Sequence, residues 1–147
     1  MVEKSVSFVI EAVSSALEML QVRVEEAAEQ WQLSPKTTFQ INLALDELVT
    51  NIINHGHGGD SGDHFIDIQM RMDGSKLTIV LFDDGPPFDL TSAADPNLDA
   101  ALDERPVGGL GIFLVRQYMD KVEYKFQEGK NSIILVKYCS EREESEK

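Results

Sequence analysis

The amino-acid sequence predicts an α+β fold, a two-layer α/β sandwich in which helices cover one face of a mixed, mostly antiparallel sheet. Three observations lead to this prediction. The predicted elements run in the order strand, helix, helix, strand, strand, irregular segment, helix, strand, strand. The later strands come in pairs separated by short turns, which is typical of antiparallel hairpins packed under helices. The length of 147 residues is sufficient for one such domain.

The charge of the chain restricts its partners. Lys and Arg number 13 against 26 Asp and Glu, which gives a formal net charge of −13. Nucleic acids and anionic membrane surfaces are bound by basic surfaces, so the charge argues against both. A small anionic ligand is still allowed, because the backbone N–H groups at a helix N-terminus can hold phosphate without net positive charge.

The cellular location is predicted from what the sequence lacks. Cys139 is the single cysteine and cannot form an internal disulfide, which indicates a reducing compartment. The first residues do not resemble a signal peptide, and no apolar run is long enough to cross a bilayer. We therefore expect a soluble cytoplasmic protein, with one domain over residues 1–139 and a disordered acidic tail over residues 140–147.

The first half of the chain contains one strand and two helices. Residues 5–10, SVSFVI, are rich in β-branched side chains and predict a first strand. From about residue 11 a helical rhythm of apolar residues predicts one long amphipathic helix. Ser34 as N-cap and Pro35 at the first helical position begin a second helix that ends near Gly56. The apolar positions of the first helix are Val13, Leu17, Leu20, Val24, Ala27 and Trp31, and we expect Trp31 in the core.

The second half contains two hairpins separated by an irregular segment. Alternating residues 66–72, a turn at Asp73-Gly74 and the return strand KLTIVLF form the first hairpin. Residues 85–108 have no periodicity and contain four prolines, which is typical of a lid over a binding site. The segment GGLG then begins a helix, and the strands KVEYKF and SIILVKY flank a QEGKN turn.

The second helix carries an unexpected polar face. Glu47, Asn51 and Asn54 cluster together to one side of the core stripe, because successive helix residues are rotated by about 100°. Glu47 and Asn51 are four residues apart, so their side chains are neighbours and can share a ligand or an ion. The alternative interpretation is a polar flank in contact with solvent. The core stripe itself consists of Ile41, Leu45, Leu48 and Ile52.

Two other motifs have the chemistry of a nucleotide site. In FDDGPPF, Asp83 or Asp84 at the end of an apolar strand can accept a hydrogen bond from an exocyclic amine such as that of adenine. The alternative there is an ordinary turn. In GGLG, residues 108–111, the glycines let backbone N–H groups approach a phosphate at a helix N-terminus. The alternative there is a hinge without a ligand.

Taken together and in this order, the motifs resemble a known family. The segments DELVTNIINHG, DDGPPFD and GGLGIFLVRQYMDKVEY are similar to those of the GHKL (Bergerat-fold) ATPases, and within them to the anti-sigma-factor serine/threonine protein kinases. The resemblance covers nearly the whole chain. It implies the Bergerat ATP-binding fold, with ATP and Mg²⁺ as ligands and residues 86–108 as the approximate ATP lid.

The resemblance also implies roles for individual residues. Glu47 matches the general base, and Asn51 matches the asparagine that binds Mg²⁺. Asp83 matches the aspartate that binds the adenine amino group, and Gly85 closes the turn beside it. The expected phosphate-binding positions are Gly108, Gly109, Leu110 and Gly111.

The function implied by the resemblance is phosphoryl transfer from ATP to a serine or threonine of a STAS-type anti-sigma-factor antagonist. The chain would also bind a sigma factor and form a homodimer. Two alternatives stay open: a nucleotide-dependent binding module that transfers nothing, and a slow ATP hydrolase. Glu47 favours an enzyme, because a pure binding module has no need of a base beside a metal ion.

A few residues depart from the family pattern or are left without a role. Pro87 stands where many relatives have a second glycine, which bears on lid motion. Arg105 either reaches the terminal phosphate or is a solvated lid charge. His55, His57 and His64 could suggest a metal site, but their glycine-rich loop is a poor scaffold, so an ordinary loop is preferred.

Overall fold

A computed structural model describes residues 4–56, 64–87, 89 and 109–139. Within these ranges the predicted order of strands and helices is confirmed. Most of the predicted lid, Arg105, His57 and the predicted tail over 140–147 lie outside the described residues. The elements are β1 (Lys4–Glu11), a 3₁₀ turn (Ser14–Ala16), α1 (Leu17–Gln30), α2 (Pro35–Asn51), a π-helical turn (Ile52–Gly56), β2 (Phe65–Asp73), β3 (Lys76–Asp83), α3 (Gly109–Tyr118), β4 (Lys121–Gln127) and β5 (Lys130–Tyr138).

The five strands form one sheet in the order β1-β2-β3-β5-β4, and each neighbouring pair is antiparallel. The β2–β3 hairpin turns at Gly74, with a φ of 61°. The β4–β5 hairpin turns at Glu128 and Gly129, with φ values of 54° and 78°. Two positive φ values in a two-residue connection match the right-handed twist of the flanking strands, and this turn fixes their register. The predicted α+β two-layer fold is confirmed.

The helices lie on one face of the sheet, and the core lies between the two layers. Helix α2 is central and packs against both α1 and α3. The predicted core stripe of α2 is confirmed, because Ile41, Leu45 and Leu48 have no exposed surface and Ile52 is only 5% exposed. Trp31 also belongs to the core, as predicted. In the described part of the chain, no helix combines the length and the hydropathy needed to cross a membrane.

Helix α1 begins later than predicted. The sequence pattern placed its start at about residue 11, whereas the structure begins it at Leu17, after the 3₁₀ turn. The reason is that the sheet holds the preceding residues. The Ala12 N–H donates to the His64 carbonyl at 2.9 Å, and Val13 has extended backbone angles of −135° and 151°. The apolar rhythm gives no sign of this, because Ala12 and Val13 are as apolar as helix residues.

Helix α2 begins where the sequence predicts. The Ser34 hydroxyl accepts a hydrogen bond from the Thr37 N–H at 3.1 Å, and Pro35 occupies the first turn. The α-helical hydrogen bonding ends at Asn51, and residues 52–56 continue as a wider π-helical turn. Short π segments are rare and occur frequently at functional sites.

Candidate active site

Glu47 and Asn51 lie in the last two turns of α2, and their environments differ. Asn51 is buried, with 5% of its surface exposed, whereas Glu47 is half-buried. Burial raises the pKa of Glu47, and the neighbouring charge of Asp46 raises it further. A carboxylate with a raised pKa is a stronger base than an ordinary surface glutamate. The helix therefore presents a base one turn before a buried amide.

Asn54 does not share this environment. It lies in the π-helical turn and is exposed, whereas Asn51 is buried. The prediction of one polar face with three members assumed α-helical spacing to residue 54, and in a π-helical turn the hydrogen bonds run from i to i+5. The assumed α-helical spacing therefore does not extend to Asn54, and of the three residues only Glu47 and Asn51 are shielded from solvent, Glu47 in part and Asn51 almost fully.

Asp83 is held at the end of β3 by donors from two parts of the chain. It is 6% exposed, and its Oδ1 accepts from the Gly85 N–H at 2.8 Å and from the Asn131 Nδ2 at 3.2 Å. The neighbouring Asp84 is exposed, and its Oδ1 lies 3.6 Å from the Nδ1 of His64. Since Asp83 follows the parity of the buried side chains of β3, it faces the helix layer. Of the two candidate carboxylates, Asp83 is therefore buried under the helices and Asp84 is at the surface.

Asn131 is a site residue that the sequence did not reveal. Its side chain is 3% exposed, and besides Asp83 its Nδ2 donates to the carbonyls of Gly85 at 3.1 Å and Pro86 at 3.0 Å. The Tyr124 hydroxyl donates to its Oδ1. The sequence placed Asn131 in the QEGKN turn, but it belongs to β5 and pairs directly with Asp83. Alternate residues of a strand share a face, so counting back two positions from the apolar Ile133 places Asn131 on the inner face.

Replacing Asn131 with Ala is expected to destabilise the fold. Three acceptors and the Tyr124 hydroxyl would each lose one hydrogen bond, and a hydrogen bond contributes about 0.5–1.5 kcal/mol net. Urea unfolding should therefore show a loss of at least about 1 kcal/mol. The matched control is Ser132→Ala, one position along and on the opposite face. Equal stability of the two variants would contradict this account of Asn131.

The glycine motif begins a helix, as predicted. Helix α3 starts at Gly109 and includes Leu110 and Gly111, and it packs against α2. Gly108 lies outside the described residues. The first N–H groups of a helix have no partner within it and carry partial positive charge. The start of α3 is therefore suited to an anion, and the phosphate-binding role of residues 108–111 stays a prediction.

The histidine-rich segment shows no metal site in its described part. His64 lies near Asp84, whereas His57 and the side chain of His55 lie outside the residues that can be described. Among the described residues, no group of three or more His, Cys, Asp or Glu side chains is arranged to hold a metal ion. Cys139, also without a role, is a buried residue at the end of β5.

The donor set fits a Mg²⁺-nucleotide. Mg²⁺ prefers oxygen ligands and keeps several waters and phosphate oxygens, so one amide oxygen from the protein is sufficient. Asn51 offers such an oxygen, and Asp83 is a fixed carboxylate able to accept from an amino group. Glu47 adds a carboxylate on the turn before Asn51.

Comparison with known proteins identifies the family of the chain. A family described as "Histidine kinase-like ATPase domain" matches residues 10–137. Serine/threonine-protein kinase BtrW of Bordetella bronchiseptica is 28% identical over 119 residues, covering 80% of this chain and 82% of the relative. Serine-protein kinase RsbW of Listeria monocytogenes is 30% identical over 112 residues, covering 72% and 69%. Anti-sigma F factor of Thermoanaerobacter sp. is 32% identical over 120 residues, covering 79% and 82%.

Solved structures share the fold at low sequence identity. The crystal structure of the RsbU and RsbW domains of a Mycobacterium tuberculosis protein matches with a TM-score of 0.65 and 12% identity, over 92% of this chain. The chain spans 32% of that longer protein. The catalytic domain of histidine kinase ThkA matches with a TM-score of 0.53 and 15% identity, over 91% of this chain and 97% of that domain. At these identities the likeness concerns the fold.

Proposed function

Because this chain belongs to the histidine kinase-like ATPase family, and within it to the anti-sigma-factor serine kinases, we propose that it is an ATP-dependent protein serine/threonine kinase. Its substrate is a STAS-type anti-sigma-factor antagonist, and the unphosphorylated antagonist competes with a sigma factor for the kinase. The protein acts in the cytoplasm as a homodimer. The names of the relatives, two kinases and one anti-sigma factor, support both activities.

One observation carries the proposal: on α2 a carboxylate with a raised pKa stands one turn before a buried amide. A module that only held a nucleotide would need the amide for the metal but would gain nothing from the carboxylate. Placing Glu47 partly out of water costs stability, because desolvation disfavours its charged form. Such a cost is expected where the charged form has a role in catalysis.

Each site residue then has a defined task. Glu47 takes the proton from the acceptor hydroxyl, and Asn51 contributes an oxygen ligand for Mg²⁺. Asp83, held by Gly85 and Asn131, accepts from the adenine amino group. The bound Mg²⁺ supplies neutralisation of the phosphate charge. Because phosphoryl transfer depends mostly on positioning and charge neutralisation, the polypeptide needs little further chemistry. The expected contacts to the phosphates come from Gly108, Gly109, Leu110 and Gly111.

A transfer assay tests the proposal. The protein is incubated with γ-labelled ATP, Mg²⁺ and a STAS-domain protein of the same organism, and acid-stable label on that protein is measured. Acid stability distinguishes phosphoserine or phosphothreonine from phosphohistidine. The matched control is the same STAS protein with its serine and threonine residues in the acceptor loop changed to alanine. Label is expected on the first protein and absent from the second.

The other outcomes identify the alternatives. ATP that binds without any label reaching the STAS protein would contradict the kinase proposal and favour a nucleotide-dependent binding module. Release of labelled inorganic phosphate, at the same rate with and without the STAS protein, would favour a slow ATP hydrolase.

A further inference from the structure

One carboxylate oxygen of Asp83, Oδ1, is saturated with hydrogen bonds. An ionised carboxylate has about four acceptor positions, two on each oxygen. On Oδ1 one position is taken by the Gly85 N–H at 2.8 Å and the other by the Asn131 Nδ2 at 3.2 Å. Hydrogen bonds to an ionised acceptor are about twice as strong as those between neutral groups. A donor from a bound base therefore uses the second oxygen, Oδ2.

The side-chain amide of Asn131 is held in the orientation that keeps this bond. The oxygen and the nitrogen of such an amide have nearly the same shape, so hydrogen bonds decide which way it points. The Tyr124 hydroxyl donates to its oxygen. The carbonyls of Gly85 and Pro86 accept from its nitrogen at 3.1 and 3.0 Å. Reversing the amide would place its oxygen against the Asp83 carboxylate and both carbonyls, all of which are acceptors.

The contact between Asn131 and Asp83 withstands competition from the other acceptors and from water. The amide nitrogen has two hydrogens for three acceptors, and a charged acceptor attracts a donor more strongly than a neutral carbonyl does. The two residues are direct partners on the paired strands β3 and β5, and they are 6% and 3% exposed. Oδ1 therefore keeps both of its donors when a ligand arrives.

Purine bases place different demands on this carboxylate. Adenine presents one amino group at C6, which a single oxygen can accept. Guanine has a carbonyl at C6, and in the position of adenine this acceptor would face the carboxylate. Guanine can donate to a carboxylate only from its N1–H and its C2 amino group, and these two parallel donors need both oxygens. Hypoxanthine, the base of inosine triphosphate, has the carbonyl and the N1–H of guanine but lacks the amino group.

We infer that Asn131 determines base specificity: together with the Gly85 N–H it saturates Oδ1, so that Asp83 serves a base with one oxygen and selects adenine against guanine. The inference rests on the proposed ATP site and gives that site a source of specificity. Asn131 acts through Asp83 and is a positioning residue. Without its amide, Oδ1 would offer an acceptor position to the C2 amino group of guanine.

Three nucleotides on the wild-type protein provide the first test. Dissociation constants of ATP, GTP and inosine triphosphate are measured by calorimetry with Mg²⁺ and without a protein substrate. ATP should bind most tightly. GTP should bind no more tightly than inosine triphosphate, because its additional amino group meets a saturated oxygen. Tighter binding of GTP than of inosine triphosphate, by about tenfold or more, would show that both oxygens serve the base and would overturn the inference.

Replacing Asn131 with Leu provides the second test, because leucine has a similar volume and no donor. GTP should then gain at least about tenfold over inosine triphosphate, the factor of one hydrogen bond to a charged group. A merely structural role would weaken all nucleotides alike and leave this ratio unchanged, which would overturn the inference. Asn42→Leu is the matched control, at a half-buried position of α2 that lines the groove beside α1, and should keep the wild-type ratio.

The two tests remain decisive when one of them fails for another reason. If Asn131→Leu does not fold, the comparison of GTP with inosine triphosphate on the wild type still decides the inference. A wild type that binds none of the three nucleotides would contradict the proposed ATP site and the inference with it. A wild type that prefers ATP but also prefers GTP to inosine triphosphate would overturn the inference alone. Binding is measured without transfer, so failure of the kinase activity would not change these results.

Discussion

Glu47→Gln is expected to lower the rate of phosphoryl transfer to the STAS protein by about 10²–10⁴-fold, the usual contribution of a positioned general base. Glutamine keeps the shape and polarity of the side chain but cannot take a proton. ATP affinity, measured by calorimetry with Mg²⁺, should change little, because Asn51 and Asp83 are intact. Loss of ATP binding in parallel with transfer would show that Glu47 acts in binding and not as the base.

The pH dependence of transfer provides a second measurement on the same residue. Burial raises the pKa of Glu47, so acidification protonates it sooner than an ordinary carboxyl group. As the pH is lowered, the transfer rate should therefore begin to fall at a pH above the ordinary carboxyl pKa of about 4.3. Asp46→Asn is the matched control: its side chain is exposed, and its charge is the second cause of the raised pKa. This variant should stay active and shift the acidic limb of the profile to lower pH. If the acidic limb does not move in this variant, the ionisation that causes it belongs to a group other than Glu47.

Glu47→Gln should also change stability in a direction opposite to its effect on activity. A carboxyl group whose pKa is raised on folding contributes full stability below its unfolded pKa, and that contribution is lost as pH rises through the folded value. At neutral pH the wild type therefore holds a disfavoured charge, which glutamine removes. The Tm of the variant is expected to match or exceed that of the wild type at pH 7, with the difference vanishing at acidic pH.

Asp83→Asn is expected to weaken ATP binding by about 10–150-fold, which corresponds to the 1.5–3 kcal/mol of a hydrogen bond to a charged group. Asparagine can keep its Oδ1 as acceptor for the Gly85 N–H and the Asn131 amide, so the strand end should stay folded. Its Nδ2, however, is a donor and cannot accept from the adenine amino group.

A nucleotide comparison separates recognition of adenine from a general loss of affinity. Inosine triphosphate carries a carbonyl where ATP carries the amino group, and the amide of Asp83→Asn can donate to it. The preference for ATP over inosine triphosphate should therefore shrink in the variant. Asp84→Asn, next in sequence but exposed, is the control and should keep the wild-type preference. An unchanged preference in Asp83→Asn would remove the adenine assignment. Alanine at position 83 is less informative, because the Gly85 N–H and the Asn131 amide would each lose the acceptor that holds the strand end.

The sequence predicts best where local chemistry determines the structure. Ser34 and Pro35 begin α2 as expected, because a cap and a preset φ act within one turn. Gly74 marks the β2–β3 hairpin correctly, because the positive φ of this turn is a local requirement that glycine meets. Asp83 was found as a candidate because a carboxylate and a glycine at a strand end form a recognisable pair. The choice between Asp83 and Asp84 required only strand parity.

Two of the three features that the sequence did not predict depend on distant parts of the chain. The start of α1 is delayed because Ala12 is hydrogen-bonded to His64, more than fifty residues away. The π-helical turn after Asn51 has no compositional signal that distinguishes it from continued α-helix. Asn131 looked like a turn residue, since its role arises only when β5 pairs with β3. The start of α1 and the role of Asn131 each depend on a tertiary contact that local propensity does not contain.

The two-residue β4–β5 turn at Glu128 and Gly129 has a consequence for how the chain can vary. Side chains alternate between the faces of a strand, so a change here that slipped β5 by one residue against β4 would turn every side chain of β5 to the opposite face. The amide that steadies Asp83 would then point away from the helices. A short surface turn thus decides on which side of the sheet that amide lies, and variants of the turn are expected to keep this register.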